Sequence, residues 1–295
     1  MPLKSRVKPE KVQRENGRLY VVATPIGHKD DITVRALNIL KEVDLIAAED
    51  TRQSGRFLGR HHIKKHFISY HEHNEIKRTP QLIKQLTSGK SIALLSNAGT
   101  PVVSDPGYRL IKAAIEHKIT VVPIPGVSAL TTALSVAGLP TDTFVFVGFP
   151  PRKKGRRLSG LKLLADEQRT IIFYESPRRI LKLMADIQTV MGDRHAVLGR
   201  EMTKRYEEFI RGQLSEIIKT LKCRPTLKGE FTLIVSGGDP QPEAGSIRIE
   251  EEIKQKLDAE NSSPTVLSKT IAQKYGLSKS TAYKKILKIR TEMQR

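Results

Sequence analysis

Short apolar runs rich in Val, Ile and Phe alternate along this chain with longer stretches whose apolar residues recur at helical spacing. Residues 19–23, 44–48, 91–95 and 120–124 read as buried strands. Between them Val34, Leu37, Ile39 and Leu40, then Leu82, Ile83 and Leu86, then Leu110, Ile111, Ala114 and Ile115 make helix faces. That rhythm predicts βαβ units and a mainly parallel sheet covered by helices. The strand ends at Ala23-Thr24-Pro25, Ala48-Glu49-Asp50, Ser96-Asn97-Ala98-Gly99 and Pro125-Gly126 then collect on one edge, where open α/β sheets bind ligands. After residues 139–142 the pattern restarts with residues 144–147, 170–174, 196–198 and 231–235, a second α/β domain. Residues 209–214 and 228–236 are expected to pair as antiparallel strands at its edge.

Residues 237–245 are polar and full of Gly and Pro, the composition of a linker. Beyond them the period is purely helical. Ile249, Ile253 and Leu257 share one face; Pro264 opens a second helix carrying Leu267, Ile271 and Ala272; Gly276 stops it; Ser278 caps a third with Ala282, Ile286 and Ile289 inward. This is the spacing of a helix-turn-helix. The predicted organisation is therefore a flexible basic arm (1–18), two α/β domains (19–140 and 141–240) and an all-α unit (246–295).

Charge narrows the class of partner. The 295 residues carry a formal net charge of +20, a surplus that favours a polyanion such as nucleic acid. Residues 264–295 hold eight Lys or Arg against one Glu, a net of +7, with Lys279, Lys284, Lys285, Lys288 and Arg290 crowded into the last helix. In Arg152, Lys153, Lys154, Arg156 and Arg157, five positive charges fall in six positions just after a strand end. Such a run repels itself unless a polyanion is present, so both clusters are candidate RNA contacts. With one cysteine, Cys223, neither an internal disulfide framework nor a cysteine-based zinc site can form, which suits a reducing cytoplasm. The first 18 residues lack the apolar segment of a secretory signal, and the uncharged stretch 127–139, which reads as a core helix, is too short to span a bilayer. No membrane association is expected.

The stretch LLSNAGTPVVSDPG (94–107) runs a buried strand into two glycine turns with neither nucleophile nor metal cluster behind it. Small residues there allow main chain to approach a bound small molecule closely. A dinucleotide GxGxxG is absent, since the first strand ends ATPIGH, and no Walker loop occurs, so neither a standard nicotinamide or flavin fold nor a P-loop is expected. His61, His62, His66, His71 and His73 lack the spacing and third carboxylate of a metal site, and none is expected.

LYVVATPIGHKDDITVRAL, AAEDTRQSGRFL, LLSNAGTPVVSDPGYRL, VVPIPGVSALTTALSVAGLP, IIFYESPRRI, REMTKRYEE and GEFTLIVSGG, in this order, resemble the tetrapyrrole-methylase superfamily, and within it the branch that 2′-O-methylates a cytidine of small-subunit (16S) ribosomal RNA. The resemblance spans residues 19–238 and, more loosely, the terminal helices. It implies a class III methyltransferase: two α/β domains, S-adenosylmethionine in the cleft between them, a homodimer, and the small ribosomal subunit as partner. Carried over by motif, the cofactor meets Pro25, Ile26, Ala98, Gly99, Thr100, Val103, Ser128, Ala129, Tyr174, Thr232 and Leu233. One departure stands out: the branch commonly reads SDAGTP, and here Asn97 replaces the aspartate.

Methyl transfer from a sulfonium to a ribose hydroxyl needs in-line geometry and something to take a weakly acidic proton; it needs no metal or thiol. Alignment can supply about 7–11 kcal/mol of barrier reduction at best, and a general base roughly two to four orders of magnitude more. Asp50, Glu175 and Glu201 stand at predicted strand ends as candidate bases, with Lys204 able to orient a phosphate or depress the hydroxyl pKa. Each has a structural alternative: Asp50 pairing Arg52, Glu175 capping a helix at Pro177, Glu201 bridging Arg200 or Lys204. Asp50, Glu201 and Lys204 are the catalytic candidates carried forward. A small-molecule corrinoid methylase and a DNA-binding regulator built on the terminal helices remain as rival readings.

Overall fold

The computed structural model describes residues 17–238, 242–259, 263–275 and 278–293. The chain divides into two compact units, Met1–Gly237 and Gly238–Arg295. The expected arm falls mostly outside the described residues, but its end is structural: Arg18 opens the first strand, and the Gly17 N–H donates to the Leu86 carbonyl at 2.8 Å.

In the first unit, β1 (Arg18–Val22), β2 (Leu45–Ala48), β3 (Phe67–Ser69), β4 (Ile92–Leu95) and β5 (Thr120–Ile124) form an all-parallel sheet in the order β3-β2-β4-β1-β5. β2 and β4 are buried along their whole length, the continuous apolar run of a strand covered on both faces. One face packs on α3 (Glu75–Thr87) and α4 (Tyr108–Glu116) through Leu82, Leu86, Leu110 and Ala114. The opposite face packs on α1 (Val34–Glu42) and α2 (Thr51–Arg60) through Ala36, Leu40 and Leu58. The connections from β1 and β4 thus leave on opposite faces, and their carboxyl ends open a crevice between adjacent strands. The sequence reading missed β3, whose three half-buried residues give too short a period-two signal.

Helix α5 (Ala129–Ser135) then leads to β6 (Phe144–Gly148), α6 (Lys154–Lys162), β7 (Thr170–Glu175), α7 (Ile180–Met191), β8 (His195–Arg200), β9 (Glu208–Gln213), α8 (Leu214–Lys222) and β10 (Phe231–Val235). Their sheet is mixed, in the order β6-β7-β10-β8-β9. β9 is the antiparallel edge strand, but it pairs with β8, not with the 228–236 segment as expected. β10 lies instead in the middle, antiparallel to both β7 and β8, because a strand buried along its whole length gains most between two partners. Phe231, Leu233 and Val235 face α7 and α8, while Ile234, with Ile172 and Val197, packs on Ala133, Leu134 and Ala137 around α5.

In the second unit, α9 (Pro242–Ala259), α10 (Pro264–Tyr275) and α11 (Lys279–Met293) enclose Ile249, Ile253, Leu267, Ile271, Ala282, Ile286 and Ile289. The predicted inward faces are the observed ones. The Ser278 hydroxyl accepts the Thr281 N–H at 3.0 Å, the expected cap. Residues 242–245, read as linker, form the first turn of α9, where a leading proline is accommodated. The expected stop at Gly276 lies outside the described residues.

Candidate active site

Loops after β1, β4 and β5 converge at the crevice. Thr24 and Gly99 exchange backbone hydrogen bonds of 2.8 and 2.9 Å, tying the β1 loop to the β4 loop. The Thr100 hydroxyl donates to the Val127 carbonyl at 3.1 Å, tying the β4 loop to the β5 loop. Gly99 has φ +77°, a left-handed backbone that a side chain would strain, and it sits against the Ile26 methyl, so glycine lets the chain make this turn beside the crevice.

Two adjoining cavities open here. The larger, about 380 Å³, is lined by nine of the eleven residues expected at the cofactor: Ile26, Ala98, Gly99, Thr100, Val103, Ser128, Ala129, Tyr174 and Thr232. Pro25 lines the neighbouring cavity of about 340 Å³. Leu233 is the exception. Successive strand side chains point to opposite faces, so while Thr232 looks into the cavity, Leu233 is wholly buried against α7 and α8 and offers a ligand no side-chain contact.

Residues not among those eleven also line the wall, Glu49, Asp105, Phe149, Met202 and Glu230 among them. Phe149 stacks edge-on against Tyr174 with ring centroids 5.6 Å apart, leaving an exposed aromatic at the rim. The Asp105 carboxyl is pushed up to about 7, first by burial and then by the neighbouring Glu49 carboxylate. Glu49 accepts the Asn97 N–H at 3.1 Å. The loops are also strained: Val102, Ser104, Glu201 and Thr203 all have positive φ, each costing about 1–3 kcal/mol that the surrounding packing must hold in place.

The catalytic candidates separate. Asp50 caps α2, accepting the Arg52 and Gln53 N–H groups at 2.8 and 3.1 Å, and those bonds hold its carboxyl below the usual range. It lines neither cavity, and its observed contacts are those of a helix cap. Glu201 accepts from Lys204 Nζ and from the Glu230 N–H, both at 2.9 Å, and lines neither cavity. Burial works against its charge, but those hydrogen bonds prevail and keep it ionised. Lys204 does line the second cavity, its ammonium held between Glu201 and Glu230 (2.9 and 3.1 Å). Burial opposes that charge too, and the two carboxylates outweigh it, holding its pKa above the usual lysine value. Glu230, which sequence reasoning passed over, lines both cavities, as do Ile26, Asn97 and Ala98. Its adjacency to the β1 loop arises only when β8 and β10 lie side by side.

Glu175 is almost wholly buried, 2.9 Å from Arg179, and α7 begins at Ile180 rather than at Pro177. Of the basic run, Arg152, Lys153, Lys154 and Arg156 are exposed. Arg157 is a correction: its guanidinium is buried, 2.6 Å from Asp186, and donates to the Pro151 and Arg152 carbonyls, which removes it from any surface patch. On α11, Lys279, Lys284 and Lys288 are exposed, while Lys285 is half-buried beside Glu250 at 3.5 Å. Among the described residues no cluster of three His, Cys, Asp or Glu side chains could hold a metal ion, and no helix is long and apolar enough to cross a membrane.

A ligand crevice at the β1/β4 switch point, closed by a second sheet and built without a dinucleotide or P-loop fingerprint, defines a two-lobed methyltransferase of class III. Residues 18–218 match the family model of tetrapyrrole (corrin/porphyrin) methylases, and the chain belongs to that family. Over 229 residues it is 48% identical to "Ribosomal RNA small subunit methyltransferase I" of Halalkalibacterium halodurans, covering 78% of this chain and 79% of the relative. The protein of the same name from Synechocystis is 43% identical over 279 residues, 94% of this chain and 99% of the relative. Among solved structures, the uroporphyrin III C-methyltransferase of Thermus thermophilus superposes with a TM-score of 0.54 at 18% identity, covering 74% of this chain and 97% of that one, a likeness of fold.

Proposed function

We propose that this protein transfers the methyl group of S-adenosylmethionine to the ribose 2′-hydroxyl of a cytidine in 16S ribosomal RNA. The observation that carries the reading is the larger cavity: nine motif residues brought from three strand ends and the facing sheet onto one space of about 380 Å³. The residues present suit that cofactor. Gly99 and its small neighbours give close main-chain approach, Tyr174 and Phe149 offer aromatic surface for a purine, and Asp105 with Glu49 supplies carboxylates for a cation. When bound, S-adenosylmethionine supplies an electrophilic methyl on a sulfonium.

The chain's own part is to present the hydroxyl in line and to manage its proton. Glu230, at the junction of the two cavities, is the carboxylate placed to take it. Lys204, kept charged by its two partners, stands ready to steady the oxygen as charge develops there. The exposed cations Arg152, Lys153, Lys154, Arg156, Lys279, Lys284 and Lys288 hold the RNA backbone, a role that fixes affinity without reading sequence. The homodimer and a cytoplasmic setting belong to the same reading; sedimentation of the purified chain tests the first.

The test is transfer of labelled methyl from S-adenosylmethionine into 30S particles and naked 16S RNA, with corrinoid precursors in parallel. Label in an alkali-resistant dinucleotide containing cytidine is expected. Label in the corrinoid alone would replace this reading with its small-molecule rival.

A further inference from the structure

The second cavity, about 340 Å³, differs in chemistry from the first: Lys29, Arg56, Arg60 and Lys204 converge there beside one aromatic ring, Phe57. Helix α2 supplies five of its fifteen lining residues, Gln53, Ser54, Arg56, Phe57 and Arg60. Arg52, Arg56 and Arg60 repeat every four residues, so they share one face, where like charges repel. No Asp or Glu lies within the helix to offset them. Among the described residues Lys29, Arg56 and Arg60 make no ion pair, although all three line one concave space. Lys204 is held by Glu201 and Glu230, but the other three stand around that space without such a partner, and together they suit an anion. Phe57 adds a flat apolar surface, half-buried and fixed by its packing on the β-sheet and by an edge contact with His61 at 5.1 Å. Cationic side chains around an aromatic face are the chemistry of a single unstacked nucleotide.

We infer that this cavity is the pocket of the acceptor nucleotide, with the base against Phe57, the flanking phosphates on Arg56, Arg60 and Lys29, and the ribose at the junction walled by Ile26, Asn97, Ala98 and Glu230. This deepens the proposed function and rests on it. Asn97 bears on the junction directly. Its side-chain oxygen is enclosed without a hydrogen-bond partner, while the Gln53 amide donates to its backbone carbonyl at 3.1 Å. The pocket accommodates one nucleotide, so a base inside a duplex must first leave its stack.

The experiment compares the full-length protein with R56Q/R60Q and R56K/R60K. For the glutamine pair, calorimetric affinity for S-adenosylhomocysteine is expected to match wild type, while KM for 30S particles rises more than tenfold. The slope of log affinity against log salt should fall by about 1.4, two phosphate contacts on single-stranded RNA. The lysine pair should recover most of the salt slope. If wild type methylates 30S particles and the glutamine pair does so with the same KM and salt slope, the pocket assignment is overturned while the methyltransferase reading stands. If wild type methylates no RNA, that reading falls, and cytidine 3′,5′-bisphosphate decides the pocket by itself. Heat of binding abolished in R56Q/R60Q and reduced in Phe57→Leu sustains it; no heat with wild type overturns it.

Discussion

Gly148, at the end of β6, and Ser104, in the loop after β4, meet across the two sheets so closely that a Cβ on Gly148 would stand 2.7 Å from the Ser104 hydroxyl oxygen. Both residues have positive φ, +69° and +66°, and Ser104 lines the larger cavity. Gly148→Ala should therefore cost about 1–2 kcal/mol from the left-handed backbone alone, with a further loss from the clash. Urea denaturation of Gly148→Ala and of the double variant carrying Ser104→Ala, which removes the hydroxyl and keeps a Cβ at the left-handed position, separates the parts. The double variant should regain the steric part only, and weakened S-adenosylhomocysteine binding should follow the clash.

Asp105 makes a pH dependence that can be given a sign. Burial and Glu49 raise its pKa from 3.8 to about 7, so the folded chain holds this proton more tightly than the unfolded chain. Stability must then fall as pH rises from about 4 to about 7, by on the order of 2–4 kcal/mol from this group. Asp105→Asn should remove that slope. Denaturation curves at pH 5 and 8 measure the difference between wild type and variant, and parallel behaviour would refute the assignment.

Arg157 and its neighbours in the basic run should part company. Arg157→Ala leaves Asp186 buried and unpaired, which should cost about 3–5 kcal/mol. Neutralising Arg152, Lys153, Lys154 and Arg156 together should leave stability within about 0.5 kcal/mol per site while lowering the salt dependence of RNA binding. Thermal melts and filter binding over a salt series distinguish the two outcomes.

Glu230→Gln is expected to slow single-turnover methyl transfer by roughly 10²–10⁴-fold, the range of a lost general base, with cofactor affinity retained. Lys204→Ala should also slow the step, and it leaves the Glu201 carboxylate without its cation, so Lys204→Arg is the informative control. Asp50→Asn, by contrast, should keep the rate near wild type, since asparagine also caps helices well. A rate collapse in Asp50→Asn with Glu230→Gln unaffected would return the base to Asp50.

Truncation at residue 238 tests the helical unit. The remaining unit, Met1–Gly237, contains both sheets and both cavities. It should bind S-adenosylhomocysteine as the full chain does and bind RNA more weakly, with a shallower salt slope. Unchanged RNA binding would remove the tail from the interface.

Local chemistry determined much of this protein in its sequence. The strand and helix alternation, the glycine cradle and the inward faces of the terminal helices were legible because each is a periodicity or a turn preference expressed within a few residues. Tertiary structure decided what depends on neighbours distant in the chain. That β9 pairs with β8, that Leu233 turns from the cavity Thr232 enters, that Arg157 finds Asp186 and that Glu230 reaches Lys204 follow from which strands lie side by side. A charged residue reads the same in sequence whether it meets solvent, a partner or a ligand. Only the packed fold sets its surroundings, and the surroundings settle whether it is a cap, a buried pair or a group free to act.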